Sequence, residues 1–306
     1  MMKKWLLLIA CILIAACAGI YLYIPANLHI VQVTPVKCTT PGAYRHLAGP
    51  RAWQQWWPGH GALTYKGDSF RLTKTLLNTV EVHIRHQDVS VSSTVHLLPL
   101  PSDSTAIEWQ CSLPSGGNPF TRLQRYRQAL AIKNNMAGIL ARFKAFAENK
   151  DSIYGIPIRV ATFQDSALIT TKTVVPAYPS SATICASIHT LQAYIKKQGA
   201  AQAGHPIASV TPLEGGNFQL MAAVPVNTPV AAGGPFYKTS IPRVKFLVAQ
   251  VTGGDSTIKR AFEQMQFHIQ DYHQVIMAVP FQQLVTDRTT EPDTSKWVTT
   301  IYFPIF

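Results

Sequence analysis

Trp297-Val298-Thr299-Thr300-Ile301-Tyr302-Phe303-Pro304-Ile305, one residue short of the end of the sequence, is built from β-branched and aromatic residues and reads as a strand. Working back from it, Phe262, Met265 and Ile269 recur at spacings of three and four and predict a helix. The turn Thr252-Gly253-Gly254-Asp255-Ser256 precedes that helix, and a strand at Val244–Val251 precedes the turn. The same order occurs once earlier. A strand near Arg159–Thr171 leads to a helix containing Leu191, Tyr194 and Ile195, then Lys196-Lys197-Gln198-Gly199, then a strand ending Val224-Pro225-Val226. The interval from Ile195 to Pro225 is 30 residues and that from Ile269 to Pro304 is 35, a weak internal repeat. Residues 156–306 therefore read as two strand-helix-strand-strand halves.

These halves resemble the GyrI-like domain, the effector-binding module attached to many bacterial transcription regulators. The closing segment is similar to that family's T-x-I-Y-x-P-I, and Val248-Ala249-Gln250-Val251-Thr252-Gly253-Gly254 to its strand-x-x-G turn. The resemblance implies a pseudo-twofold axis with a ligand cleft between the halves. Many members carry E-x-Y-x-x-D-P on the strand lining the cleft. Here Gln282-Gln283-Leu284-Val285-Thr286-Asp287-Arg288 occupies that place, with Gln282 for the Glu and Leu284 for the Tyr. The family acid pairs with cationic drugs in some regulators and assists hydrolysis in rare enzymatic members. A glutamine offers hydrogen bonds but neither charge nor a proton to transfer. The expected ligand is therefore a neutral or weakly polar hydrophobic small molecule. Gln282 is expected to meet it, with Phe218, Phe236, Tyr237, Trp297 and Tyr302 as aromatic wall, although each ring alone is more often core.

Residues 28–150 read as a second kind of domain. His29-Ile30-Val31-Gln32-Val33 alternates as a strand, Pro41–Leu47 suits a short helix, and Ser69–Thr75, Thr79–His86, Val89–Pro99 and Thr105–Leu113 follow as strands. Asn118-Pro119 then opens a long helix as N-cap and first helical residue. Its expected apolar stripe is Leu123, Tyr126, Leu130, Leu140, Phe143 and Ala147, with Arg122, Arg125, Arg127, Arg142 and Lys144 mostly between. Arg51-Ala52-Trp53-Gln54-Gln55-Trp56-Trp57-Pro58 is similar to the W-x-x-W run at this place in the SRPBCC superfamily, also called START-like or polyketide-cyclase-like. That resemblance implies a helix-grip fold, an antiparallel sheet around a long C-terminal helix, with a deep pocket for hydrophobic metabolites. No catalytic set carries over. Trp53, Trp56 and Trp57 are expected as core, with at least one ring reaching that pocket.

Ahead of both lies an uncharged run, Trp5–Ile24, preceded by Lys3-Lys4 and ended by Pro25. At 1.5 Å per residue it spans about 30 Å, the thickness of a bilayer core. Residues 1–27 are thus expected as a single-pass inner-membrane anchor with a cytoplasmic N-terminus and periplasmic domains. Ile14-Ala15-Ala16-Cys17 also resembles a lipobox, with Cys17 lipidated, but the sequence stays apolar after the cysteine. A cleaved signal is the remaining alternative, and all three export the rest. The full expectation is α+β: a transmembrane helix, a helix-grip SRPBCC-like domain and a GyrI-like domain.

Of the formal net charge of +12, Lys3 and Lys4 carry +2, residues 29–150 carry +8 and residues 151–306 carry +2. A basic first domain suits anionic lipid or a partner protein, while no nucleic-acid motif accompanies it. Five scattered cysteines show no zinc or disulfide spacing; Cys38 and Cys111 are expected as buried thiols. His83 and His86, three apart on a strand, diverge and make a poor metal pair; His268 and His273 make another poor one. No P-loop, HExxH or GxSxG occurs, and no cofactor is expected. The leading expectation is a non-catalytic binding protein. A cyclase or hydrolase for an apolar molecule is the alternative, with Glu81, Glu108 and Glu214 as the acids to inspect.

Overall fold

The computed structural model describes the chain apart from residues 1, 60, 61, 164–166 and 242. It opens on α1 (Met2–Tyr23), an apolar helix whose Lys4–Tyr23 portion is long and apolar enough to cross a membrane. The chain forms two units, Met1–Asn149 and Lys150–Phe306.

In the first unit β1 (Asn27–Val36) is followed by α2 (Thr40–Leu47) and α3 (Pro50–Trp56). Then come β2 (Thr64–Tyr65), β3 (Asp68–Leu76), β4 (Thr79–His86), β5 (Val89–Leu100), β6 (Ser104–Pro114) and the long α4 (Pro119–Ala147). The strands form one antiparallel sheet in the order β1-β6-β5-β4-β3-β2. Period-two alternation sets which face is buried: β4 turns Val80, Val82, Ile84 and His86 inward. His83 is therefore on the other face from His86. The Asn118 side chain caps α4 by accepting from the Thr121 amide at 2.7 Å. The buried face of α4 is Ala129, Ile132, Met136, Ile139, Leu140, Phe143 and Ala147. Leu123 and Leu130, expected in that stripe, are exposed. Leu130 sits about 100° around the axis from Ala129, off the three-four register that Ile132 and Met136 continue. At the start of the helix, Arg122 covers the Tyr21 ring at 4.5 Å, and the Tyr21 hydroxyl donates to the Gly117 carbonyl at 2.6 Å. These contacts tie the end of α1 to this unit.

The second unit begins at α5 (Lys150–Tyr154), most of which falls between the expected domains 28–150 and 156–306. Tyr154 is buried, its hydroxyl donates to Asp271 Oδ2 at 2.8 Å, and its ring lies against His268. Burial holds the His268 imidazole below its ordinary pKa, and nearby Lys150 adds to this. Next come β7 (Ile158–Thr162), β8 (Ala167–Val175), α6 (Ser181–Lys197), β9 (Ile207–Pro212), β10 (Phe218–Val226) and β11 (Phe236–Thr239). The chain closes with β12 (Lys245–Thr252), α7 (Asp255–Asp271), β13 (Phe281–Leu284) and β14 (Val298–Ile305).

These strands make an eight-stranded antiparallel sheet in the order β11-β8-β10-β9-β13-β14-β12-β7. The order β8-β10-β9 is mirrored as β13-β14-β12, so the two halves meet where Gln282 pairs with Ala208 and Gln283 with Ile207. The single strand expected near Arg159–Thr171 is two strands at different places in the sheet. β7 pairs with β12 and β8 with β10, and residues 164–166 between them lie outside the described residues. Gly253 holds a φ of +147° in the turn before α7, where a Cβ would come within 2.6 Å of the Thr257 hydroxyl. Both helices pack on one face: α6 over Ile169, Leu220 and Val224, and α7 over Leu247, Ala249, Ile301 and Phe303. The other face carries Phe246, Phe281 and Tyr302.

Candidate functional site

The helix face of the second sheet holds a cavity of about 800 Å³ over the junction of the two halves. Ala208 and Val210 of β9 and Gln282 of β13 form its base. Phe218, Phe303, Phe262 and Tyr178 supply aromatic surface, and Tyr178 and Phe218 meet edge to face at 5.7 Å. Lys259, Glu263 and Gln266 of α7 stand exposed around it. Burial raises the pKa of the Tyr178 phenol, and Asp255 adds to the shift. The volume lies within the roughly 300–1,000 Å³ of ordinary ligand pockets.

Of the residues singled out from sequence, the structure brings Gln282 and Phe218 to this cavity. The remaining rings lie elsewhere. Tyr302 is an even-numbered residue of β14 and so faces away from α7, stacked on Phe281 at 4.9 Å. Phe236 stacks on Tyr194 at 4.1 Å in the α6 core, and Tyr237 points to the opposite side of the edge strand β11, half exposed. Trp297 lies behind the cleft, under the guanidinium of Arg288 at 4.9 Å, its indole N–H donating to the Glu291 carbonyl at 2.9 Å.

Sequence reasoning had missed Arg288. Only 9% exposed, it donates from Nη1 to the Ser181 hydroxyl at 2.8 Å and from Nη2 to Thr299 Oγ1 at 3.0 Å. Gln282 Oε1 is at 3.5 Å from the same Nη2. Burial lowers the Arg288 pKa, with Cys185 and Asp255 opposing. Arg288 also borders a separate hollow of about 90 Å³ with Cys185, His189 and His205. Tyr178, Phe262 and Phe303 went unnoticed as well. Nothing in their local pattern separates a ring facing a cavity from one facing a helix.

In the first unit Trp53, Trp56 and Trp57 are 1%, 6% and 7% exposed. Their indole N–H groups donate to the carbonyls of Leu47 at 2.7 Å, His46 at 3.0 Å and Thr64 at 3.0 Å. The rings fill the space between Phe70, Phe143 and one another. They have no polar group left for a ligand, and neither of the two hollows described on this unit is lined by a tryptophan. A buried polar cluster was also missed. His86 Nδ1 and Asp68 Oδ1 are 2.5 Å apart, and Asn135 Nδ2 donates to Asp68 Oδ2 at 2.8 Å. His86 borders a hollow of about 480 Å³ with Phe120, Leu123 and Arg127, and among the described residues that line it there is no serine, threonine or cysteine. Glu81 and Glu108 are partly exposed and Glu214 is exposed, so none is the buried acid an enzyme would need. Cys111 is a free thiol that burial pushes up to about 11. Among the described residues no group of three or more His, Cys, Asp and Glu could hold a metal ion.

No family model matches the sequence, and no curated protein matches it. Several solved structures are similar. The EcmrR–DNA complex, determined by cryo-electron microscopy, is 16% identical with a TM-score of 0.47, covering 61% of this chain and 71% of that one. SAV2435 bound to tetraphenylphosphonium is 15% identical with a TM-score of 0.35, covering 49% of this chain and 94% of that one. A hydrolase from Listeria innocua is 8% identical with a TM-score of 0.37, covering 49% and 91%.

Proposed function

We propose that this chain is a membrane-anchored protein that binds an apolar small molecule in the cleft of its second unit without converting it. The observation that carries this is the cavity of about 800 Å³ with aromatic walls and one deeply buried polar side chain, Gln282. Lys259 and Glu263 border it at the solvent-exposed rim. The mirrored strand order about the β9–β13 junction supports a GyrI-like reading of this unit. The order of one strand, two short helices, five strands and a long helix supports an SRPBCC-like reading of the first. The enclosed tryptophans favour the cleft of the second unit as the ligand site.

Ala208, fully buried at the base of the cleft, offers a direct test. Ala208→Trp would fill the space above Gln282. Displacement of the neutral dye N-phenyl-naphthylamine from the full chain in detergent should weaken at least ~10-fold, a cost of about 1.4 kcal/mol. Thermal melting of the same variant shows whether it remains folded. Unchanged dye binding by a folded Ala208→Trp would place the ligand elsewhere.

We further propose that α1 spans the inner membrane with both units in the periplasm. Lys4 in the first turn of α1 and the absence of basic residues in its last turn support that orientation. A periplasm-active reporter fused after Phe306 should be active, and Cys17→Ser should leave the protein in the membrane fraction. Release by Cys17→Ser would favour lipidation, and an inactive reporter would reverse the topology.

A further inference from the structure

Gln282 presents only one end of its amide to the cleft. A guanidinium has donors and no acceptor, so the end that faces Arg288 Nη2 is the carbonyl Oε1. The Nε2 donor is left for the cavity that Gln282 borders, and it bonds no other described residue. Behind the amide, Arg288 is an enclosed cation. Its other contacts are the Ser181 and Thr299 hydroxyls and the Trp297 ring, and its Nε is buried without a partner. Among the described residues no carboxylate lies within ion-pair distance of it. The acid it reaches is Asp255, one hydroxyl removed: Ser181 Oγ donates to Asp255 Oδ1 at 2.5 Å. Asp255 is exposed at the start of α7, where solvent screens it, and its charge also reaches Tyr178 of the cleft wall. Lys259 and Glu263 at the rim offset one another in sign.

We infer that Arg288 makes the inner end of the cleft positive and donor-only, so that its ligand is an apolar molecule carrying an acceptor group, with a carboxylate taken in preference to a cation. The inference rests on the cleft being the binding site, as proposed above. A ligand atom bonded to Gln282 Nε2 would lie ~6 Å from the guanidinium. At an effective dielectric of ~20 that separation corresponds to on the order of 100-fold in affinity for one unit of charge, before Asp255 and solvent reduce it. Arg288 acts through Gln282, as a specificity-determining residue that does not itself touch the ligand.

Three matched probes read this out: naphthylacetate, naphthylacetamide and naphthylmethyl-trimethylammonium, each displacing N-phenyl-naphthylamine from the full chain in detergent. Wild type should bind the carboxylate at least ~10-fold more tightly than the ammonium. Arg288→Lys should keep most of that ratio. Arg288→Met removes the charge, and Gln282→Glu neutralises it by pairing with Arg288. Both should bring the ratio within ~3-fold of unity. Thermal melting of each variant shows whether it remains folded, and Gln282→Glu, which also removes the Nε2 donor and so weakens all three probes, is read by the ratio alone where Arg288→Met does not fold. A wild type that prefers the ammonium, or a ratio that Arg288→Met and Gln282→Glu both leave intact, overturns the inference while the cleft reading stands. If none of the three probes displaces the dye, the cleft reading itself fails and the inference goes with it.

Discussion

Trp53→Ala is expected to cost the first unit about 3–5 kcal/mol of unfolding free energy. The ring is 1% exposed, stacks on Trp57 at 5.2 Å and touches Trp56 at 5.0 Å. Truncation leaves a hole too enclosed to collapse fully, and it strips the Leu47 carbonyl of its indole donor. The size of the loss separates two roles. A ring lining a ligand pocket already has an empty side, so its removal costs little stability and abolishes binding. A ring packed on every side costs several kcal/mol and leaves ligand binding in the second unit untouched. Urea unfolding of the full chain in detergent, followed by near-ultraviolet circular dichroism, measures the first quantity, and dye displacement measures the second. A loss below ~1 kcal/mol together with lost dye binding would return the tryptophans to the role of a pocket wall.

Asp68→Ala should destabilise the same unit by a comparable amount, about 3–5 kcal/mol. Asp68 is 1% exposed and joins the inner ends of β3 and β4 to α4, through His86 on one oxygen and Asn135 on the other. Removing it leaves an imidazole and an amide buried without their partner, and the helix loses its most deeply buried polar contact with the sheet, keeping those of Gln128 and Arg125 with Asp88 and of Lys144 with the Pro35 carbonyl. Asp68→Asn keeps the shape and should cost less. Its carbonyl can still accept from Asn135, and its NH₂ then faces His86 Nδ1, which accepts it only in the Nε2–H tautomer. The measurement is again the urea midpoint. A fully stable Asp68→Ala would mean that the cluster contributes no net packing and would reopen a proton-transfer role for His86.

The cleft itself was partly legible in advance. Gln282 could be placed because Gln282–Arg288 resembles the E-x-Y-x-x-D-P stretch that the GyrI-like family carries on the strand lining its cleft. Arg288 was in view within the same stretch, but an arginine in a loop is ordinarily solvated. Nothing local shows that the N-termini of α6 and α7, Thr299 and Trp297 converge to enclose it. Tyr302 went the other way. Its family-like motif drew it into the proposed wall, yet its parity on β14 relative to Ile301 and Phe303 already assigned it to the opposite face.

What the sequence by itself determined is local and periodic: the apolar run of α1, the strand alternation in β3–β6, the Asn118 cap of α4 and the repeated strand-helix-strand-strand order. Each follows from residues within one or two turns or strands of each other, where steric preference and the period of 2 or 3.6 act directly. The tertiary structure alone decided what depends on residues far apart in the chain. It split the strand expected near Arg159–Thr171 between β7 at one edge of the sheet and β8 in the opposite half, turned Leu123 and Leu130 outward, closed three tryptophans into a core and set a buried arginine behind Gln282. The physical reason is the same in each case. Burial, and the partner a polar group finds once buried, are properties of the assembled neighbours, and no window of sequence contains them.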